Sequence, residues 1–250
     1  MNACSPILMA PTLSRSSPAR VMRVLVVGQG GREHAICWKL KQSPLVREIY
    51  AAPGNAGIGT IADCVPIGVA DIIELADFAE KLKIDLTIVG PELPLTLGIV
   101  DEFQKRNLAI FGPSRLAAEL EGSKVFSKEF MRKYNIPTAE AIPCSSVDEA
   151  HAAIKKLKLP VVLKADGLAA GKGVVVAEKQ KDADDFLHTV FEEKRFGNAA
   201  SRILVEEFLT GEEVSFMVIT DGKKFIPLAP AKDYKKALDG DKGPNTGGML

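Results

Sequence analysis

The 250-residue chain balances 32 Lys+Arg against 32 Asp+Glu and is 46% hydrophobic and 26% charged, a composition that predicts a soluble globular protein and argues against a polybasic nucleic-acid binder. No apolar run approaches the roughly 20 residues of a transmembrane helix, so no membrane and no nucleic-acid partner is expected. Cys4, Cys37, Cys64 and Cys144 are scattered without a Cys-x-x-Cys pair, which speaks against a zinc knuckle or a disulfide frame and for a reducing compartment.

The length admits one large or two ordinary domains. Residues 1–21 stand apart: Ser5, Ser14, Ser16 and Ser17 accompany Arg15 and Arg20, and no acidic residue precedes Glu33. This composition fits a disordered leader or a transit peptide for a plastid or mitochondrion; without such targeting the expectation is cytoplasmic.

Arg23–Val27 reads as a short strand running into Gly28-Gln29-Gly30-Gly31, with a helix over Glu33–Lys41 spaced by Ala35, Ile36 and Leu40. Further strands are predicted at Glu48–Ala51, Leu86–Val89 and Ala109–Phe111, alternating with helices near Ile72–Lys83 and Leu95–Arg106. That rhythm is the βαβ pattern of a doubly wound parallel sheet, placing a Rossmann-like domain at 22–122. Three strands end in Pro53-Gly54-Asn55, Gly90-Pro91-Glu92 and Gly112-Pro113-Ser114. Such turns either punctuate strands or line the ligand edge of an open α/β sheet.

A helix from Gly122-Ser123-Lys124 to Tyr134 is closed by Asn135-Ile136-Pro137, where the proline forces its neighbour to extend. Ser146 with Glu149 forms a capping box for Val147–Leu157, and strands follow at Val161–Lys164 and Val174–Ala177 around a small-residue loop, a hairpin-like flap. Ile203–Glu207, Val214–Ile219 and Lys224–Leu228 complete the list, with Asp221-Gly222 as a two-residue hairpin turn. The fold class is therefore α/β, with an α+β domain of antiparallel character at 123–250. His151 and His188 read as surface or boundary residues of amphipathic helices.

Gly28-x-Gly30-Gly31 lets main-chain N–H groups at a helix N-terminus approach a phosphate. It lacks the third glycine of a dinucleotide fingerprint, and no acidic residue ends the second strand, so a phosphorylated small molecule is favoured over a dinucleotide. Gly171-Lys172-Gly173 can fold a cation over polyphosphate, Lys164 and Lys124 add two more ammonium groups, and no P-loop is present. Glu206–Glu213 offers apolar groups for an adenine face and carboxylates for ribose hydroxyls, or is simply a solvated acidic turn.

Taken in order, Val27–Ala35, Ala52–Gly57, Leu120–Lys124, Lys164–Gly173, Glu206–Glu213 and Gly243–Met249 resemble the ATP-grasp ligases, and within them the phosphoribosylamine–glycine ligases. The likeness runs from about residue 22 to the last residue. It implies that ATP phosphorylates glycine and that the amine of 5-phosphoribosylamine attacks the glycyl phosphate, giving glycinamide ribonucleotide, ADP and phosphate in purine biosynthesis. By motif it implies that Lys124, Lys164, Gly171, Lys172 and Gly173 meet the ATP phosphates, that Glu206 and Leu209 line adenine, and that Glu213 holds the ribose. Gly30, Gly31, Arg32, Asn55 and Glu92 would border the phosphoribosylamine, with Asn245, Thr246, Gly247 and Gly248 opposite. Lys172, Asp233 and Lys235 are the implied catalytic groups, the family's Asp-His-Lys being Asp233-Tyr234-Lys235 here. The family continues past Met249 into a segment whose Glu and Asn bind magnesium or manganese, so no metal ligand is expected within residues 1–250. Two other readings are a non-catalytic nucleotide- or phosphoribosyl-binding fragment and a related ATP-grasp carboxylase. Fusion to other purine enzymes is compatible with each.

Overall fold

The computed structural model describes residues 21–167, 173–195, 202–232, 234, 236–239 and 242–245. In chain order the elements are β1 (Met22–Gly28), α1 (Gly31–Lys41), β2 (Val46–Pro53), β3 (Asp63–Cys64), α2 (Ile72–Lys81), β4 (Leu86–Val89), α3 (Glu92–Leu97), α4 (Ile99–Lys105) and β5 (Ile110–Phe111). There follow α5 (Arg115–Gly122), α6 (Lys124–Lys133), β6 (Ala141–Cys144), α7 (Val147–Leu157), β7 (Val161–Ala165), β8 (Val174–Ala177), α8 (Gln180–Leu187), β9 (Ile203–Glu207), β10 (Val218–Thr220), β11 (Phe225–Pro227), β12 (Lys236–Leu238) and β13 (Lys242–Asn245). Packing groups the described residues up to Gly90 with Glu102–Phe111 as one compact unit, and Pro91–Asp101 with the described residues from Gly112 onward as another.

The first unit is a five-stranded sheet in the order β3-β2-β1-β4-β5, parallel throughout. β1 is its central strand: Val24, Leu25, Val26 and Val27 are all buried, as expected for a strand covered on both faces. Val24 and Val26 pack with Cys37 of α1, Ile49 and Ala51 of β2, and Ile58. The chain turns in opposite directions from β1 to β2 and from β1 to β4. The C-terminal ends of β1 and β4 therefore flank a topological switch point, with Gly28 and Gly90 at its lip.

In the second unit β6-β9-β7-β8 form a four-stranded antiparallel sheet. The two-residue alternation of the strands sorts its faces. Val161, Leu163 and Ala165 of β7 and Ile203 and Val205 of β9 face the helices, packing with Ala150, Ala153 and Ile154 of α7 and Ala183, Phe186 and Leu187 of α8. Leu204 points to the other face, where it meets Val125 of α6 and Ala141 of β6. Lys164 and Glu206, one step out of phase with the apolar set, share Leu204's face.

Where the observed elements differ from the sequence reading, local backbone geometry explains it. The helix expected over Leu95–Arg106 is two, because Gly98 at φ +93° ends α3 in a left-handed turn before α4 begins. Of the expected Val214–Ile219 strand only Val218 and Ile219 join a ladder, which runs on to Thr220; upstream, Ser215 makes a single bridge to Ala231. Thr220 pairs with Phe225, so the hairpin loop has four residues rather than two. The Asp221 carboxylate accepts the N–H groups of Lys223 (2.9 Å) and Lys224 (2.7 Å), and this side-chain turn widens the loop. Half of the capping box expected at Ser146 forms: its hydroxyl accepts Glu149 N–H (3.2 Å), but the Glu149 carboxylate accepts the N–H of Ser145, one residue before the cap, at 2.7 Å. Among the described residues no helix is long and apolar enough to cross a membrane.

Candidate functional site

In the first unit the glycine loop is held from two sides. Gly30 caps α1, and its N–H donates to the Glu33 carboxylate at 2.6 Å. Asn55 Nδ2 donates to the Gln29 carbonyl at 2.7 Å, while its Oδ1 accepts Ile58 N–H at 2.8 Å. Glu33 is buried and fills the switch point: a Cβ on Gly28, whose φ is +134°, would lie 2.5 Å from Glu33 Cγ, and one on Gly90 would overlap the Glu33 carboxylate. The Gly30 N–H expected to face a phosphate is thus already bonded, and a carboxylate occupies the positive end of α1. Arg32 Nε offsets that charge at 3.1 Å from Glu33 Oε1, and the space beside Gly31 is open. Gly30, Gly31, Arg32 and Asn55 therefore share one sheet edge. Glu33, which the sequence reading placed only inside a motif, is the group that organises it. The capping-box spacing from Gly30 to Glu33 was the available signal.

In the second unit the charged face of the sheet gathers the other candidates. Lys164 pairs in register with Leu204, and Glu206 with Val162, so Lys164 and Glu206 are diagonal cross-strand neighbours on one face. Lys164 Nζ donates to Glu206 Oε2 at 2.8 Å, and Lys128 Nζ stands 3.6 Å from the same oxygen. Lys124 and Lys128 are one turn apart on α6, flanking buried Val125, which turns both toward this face. Lys124 Nζ donates to the Gly167 carbonyl at 2.7 Å. Burial lowers both the Lys124 and the Lys128 ammonium from the ordinary lysine value, against the pull of nearby carboxylates. Lys124, Lys128 and Lys164 thus lie close to one another, Lys128 and Lys164 nearest Glu206 and Lys124 nearer Glu121 and Asp166.

Asp166 ties α6 to β7 from 43 positions away in the chain. It accepts Ser123 Oγ (3.0 Å), Val125 N–H (3.2 Å), Gly167 N–H (3.1 Å) and Arg202 Nη2 (2.9 Å). Ser123 in turn caps α6 by accepting Phe126 N–H at 3.1 Å. Asp166, Arg202 and Lys128 were not singled out from the sequence. The first two meet only through tertiary structure, and Lys128 four residues after Lys124 reads as one more solvated lysine on a helix.

Gly173 is buried and its carbonyl accepts Ala165 N–H at 2.8 Å, closing the base of the β7–β8 hairpin. Leu209 is exposed just beyond β9, and Glu213 is exposed further on. Glu92 opens α3 in this unit, and Asn245 ends β13. Tyr234 lies exposed beneath Lys232 Nζ, 5.6 Å from its ring centre. Gly171, Lys172, Asp233, Lys235, Thr246, Gly247 and Gly248 lie outside the described residues. A polar cleft of about 300 Å³ lined by Thr96, Arg115, Glu119, Gly122 and Ser123 shares Ser123 with this cluster but holds none of its ammonium groups. Among the described residues no group of three or more His, Cys, Asp or Glu side chains is placed to hold a metal ion. His151 and His188 are exposed partners of Asp184 (2.9 Å) and Glu192 (3.2 Å).

Residues 22–121 match the family model described as phosphoribosylglycinamide synthetase, N domain, and residues 122–250 match its ATP-grasp (A) domain. The chain is 51% identical over 228 residues to a phosphoribosylamine–glycine ligase of Halalkalibacterium halodurans, covering 91% of this chain and 53% of that protein. It is 52% identical over 230 residues to that of Escherichia coli strain K12, covering 91% and 54%. The crystal structure of phosphoribosylamine–glycine ligase from Thermotoga maritima superposes with a TM-score of 0.73 at 34% identity, over 91% of this chain and 54% of the other. The chain thus spans about half the length of the curated relatives it matches. With a parallel N-domain sheet, an antiparallel ATP-grasp sheet and the two family models together matching residues 22–250, this chain belongs to the phosphoribosylglycinamide synthetase family.

Proposed function

We propose that this chain supplies the ATP-binding face and part of the phosphoribosylamine-binding edge of a phosphoribosylamine–glycine ligase. The whole protein would phosphorylate glycine with ATP and pass the glycyl group to the amine of 5-phosphoribosylamine. The observation that carries this is the meeting of Lys128 and Lys164 on buried Glu206, with Lys124 held nearby on the Gly167 carbonyl. Such a face neutralises polyphosphate charge in a partly desolvated setting, which is the chief demand of phosphoryl transfer.

In this reading Lys124 and Lys164 face the phosphates, and the Gly171–Gly173 loop with Lys172 covers them. Glu206 and Leu209 border the adenine, Glu213 holds the ribose, and Asp233 and Lys235 act at the acyl-transfer end. Gly30, Gly31, Arg32, Asn55 and Glu92 border the phosphoribosylamine, with Asn245, Thr246, Gly247 and Gly248 completing that boundary. Magnesium supplies charge neutralisation in such ligases, but the described residues give it no donor set, so no role assigned to them passes through it. The corresponding domain division is a leader over 1–21, a substrate domain over 22–122 and an ATP-grasp domain over 123–250. The compartment is the cytoplasm, or a plastid or mitochondrion where 1–21 serves as a transit peptide.

The test is calorimetry of the 250-residue chain with ADP and with glycinamide ribonucleotide, beside a ligation assay with ATP, magnesium, glycine and phosphoribosylamine. Binding of ADP that is lost in Lys164→Met supports the reading. A folded chain that binds neither ligand overturns it.

A further inference from the structure

Lys128 lies outside the residues that the family motifs single out, yet its surroundings are more constrained than those of Lys164. Its side chain is 12% exposed against 29% for Lys164. Its ammonium is fixed by two uncharged oxygens, Thr138 Oγ1 at 2.6 Å and the Ala139 carbonyl at 3.0 Å. Neither oxygen cancels its charge, which is directed at Glu206 Oε2 from 3.6 Å. Lys164 makes the shorter bond to that oxygen, 2.8 Å, from the more exposed position. One buried carboxylate therefore has two cations, one fixed and one able to leave.

We infer that Lys128 is a positioning residue of the nucleotide site: it is the standing counter-ion of Glu206, which lets Lys164 turn to a polyphosphate without stranding a buried carboxylate. This rests on the nucleotide reading above and adds the means by which the site changes partners. A carboxylate that loses its last cation inside a protein is costly to keep charged and takes up a proton instead. With Lys128 in place Glu206 keeps a cation beside it in both states, and the charge that Lys164 withdraws is delivered to the ligand.

The other charged groups around Glu206 are committed elsewhere. On the same helix Lys124 is tied to the Gly167 carbonyl, and Arg132 donates to the carbonyl of Ala141, the β6 partner of Glu206. Asp166, after β7, is paired with Arg202. Glu207, next on β9, accepts the N–H of Glu140, whose own carboxylate meets Lys156 beyond the sheet edge. None of them stands in for Lys128.

The experiment is titration calorimetry of ADP into the 250-residue chain, in buffers of low and high ionisation enthalpy, between about pH 6 and pH 8. Lys128→Met should bind ADP about tenfold more weakly than wild type at the alkaline end, with the gap closing as pH falls. It should also take up a large part of one extra proton on binding, drawn from buffer onto Glu206. Lys128→Arg should restore the wild-type proton count, and Lys128→Met combined with Glu206→Gln should abolish the extra uptake. Lys128→Gln, which keeps a polar group for Thr138 and Ala139, gives the same readout if the methionine variant folds poorly. Equal proton counts in wild type and the neutral variants, or an extra proton that survives Glu206→Gln, would overturn the inference while leaving the nucleotide reading intact. A folded wild-type chain that fails to bind ADP would overturn both.

Discussion

Removing the Asp166 carboxylate should unfasten α6 from the antiparallel sheet. Four donors converge on it: Ser123 Oγ, the N–H groups of Val125 and Gly167, and Arg202 Nη2. In Asp166→Ala the first three lose their acceptor, at roughly 1 kcal/mol each. The Arg202 side chain is 47% exposed, so its ion pair adds no more than about 1 kcal/mol after solvent screening. The expected loss is therefore about 3 kcal/mol for Asp166→Ala. It is about 1 kcal/mol for Asp166→Asn, whose amide oxygen still serves the three inner donors while its NH₂ faces Arg202. Hydrogen exchange of the β7–β9 ladder across a urea series reads this directly, because the one tryptophan, Trp38, sits in the first unit and reports that unit instead. A loss under about 1 kcal/mol in the alanine variant, or equal losses in the two variants, would refute the reasoning.

In the first unit Glu33→Ala frees the Gly30 N–H and should cost about 1 kcal/mol by Trp38 fluorescence, Trp38 lying on the same helix. Gly90→Ala should be far more damaging in wild type than in the Glu33→Ala background, since the three nearest atoms to an added Cβ all belong to Glu33; additive effects in the double variant would disprove that contact. Burial pushes the Cys37 and Cys144 thiols from 9.0 up to about 11, so at mildly alkaline pH a thiol reagent should label Cys64 and spare these two. Their raised values also set a sign: the unfolded chain ionises them first, so stability is intact below about pH 9 and falls as pH rises toward 11, and Cys37→Ala should flatten part of that fall. Lys164→Met should weaken ADP binding by roughly tenfold or more while leaving the fold intact, because Lys128 remains beside Glu206; loss of folding instead would contradict the shared-carboxylate geometry.

Much of this architecture is legible in local sequence. The parallel sheet announces itself through short apolar strands ending in glycine turns, and α7 is bounded by a Ser146–Glu149 pair that needs no tertiary knowledge. Lys164 and Glu206 each follow an unbroken apolar run, so their common face comes from the β7–β9 register. What escapes is whatever depends on long-range meeting. Asp166 reads as part of a loop until Ser123 and Arg202 reach it. Lys128 reads as solvated until Thr138 and Ala139 enclose it. The irregular stretch after β9 is misread for another reason: Val214–Met217 has strand composition, and composition does not choose which residues find a ladder partner.

The alternation along β9 has a consequence for evolution and for engineering. Sliding this strand one position against β7 would push the Glu206 carboxylate in among Leu163 and Phe186 and turn Val205 out toward the lysines. Such misregistered pairings are excluded by the very charge that readies the sheet for a ligand. A single-residue insertion or deletion within Ile203–Glu207 should therefore abolish nucleotide affinity and native folding together, whereas point changes at Glu206 can separate the two.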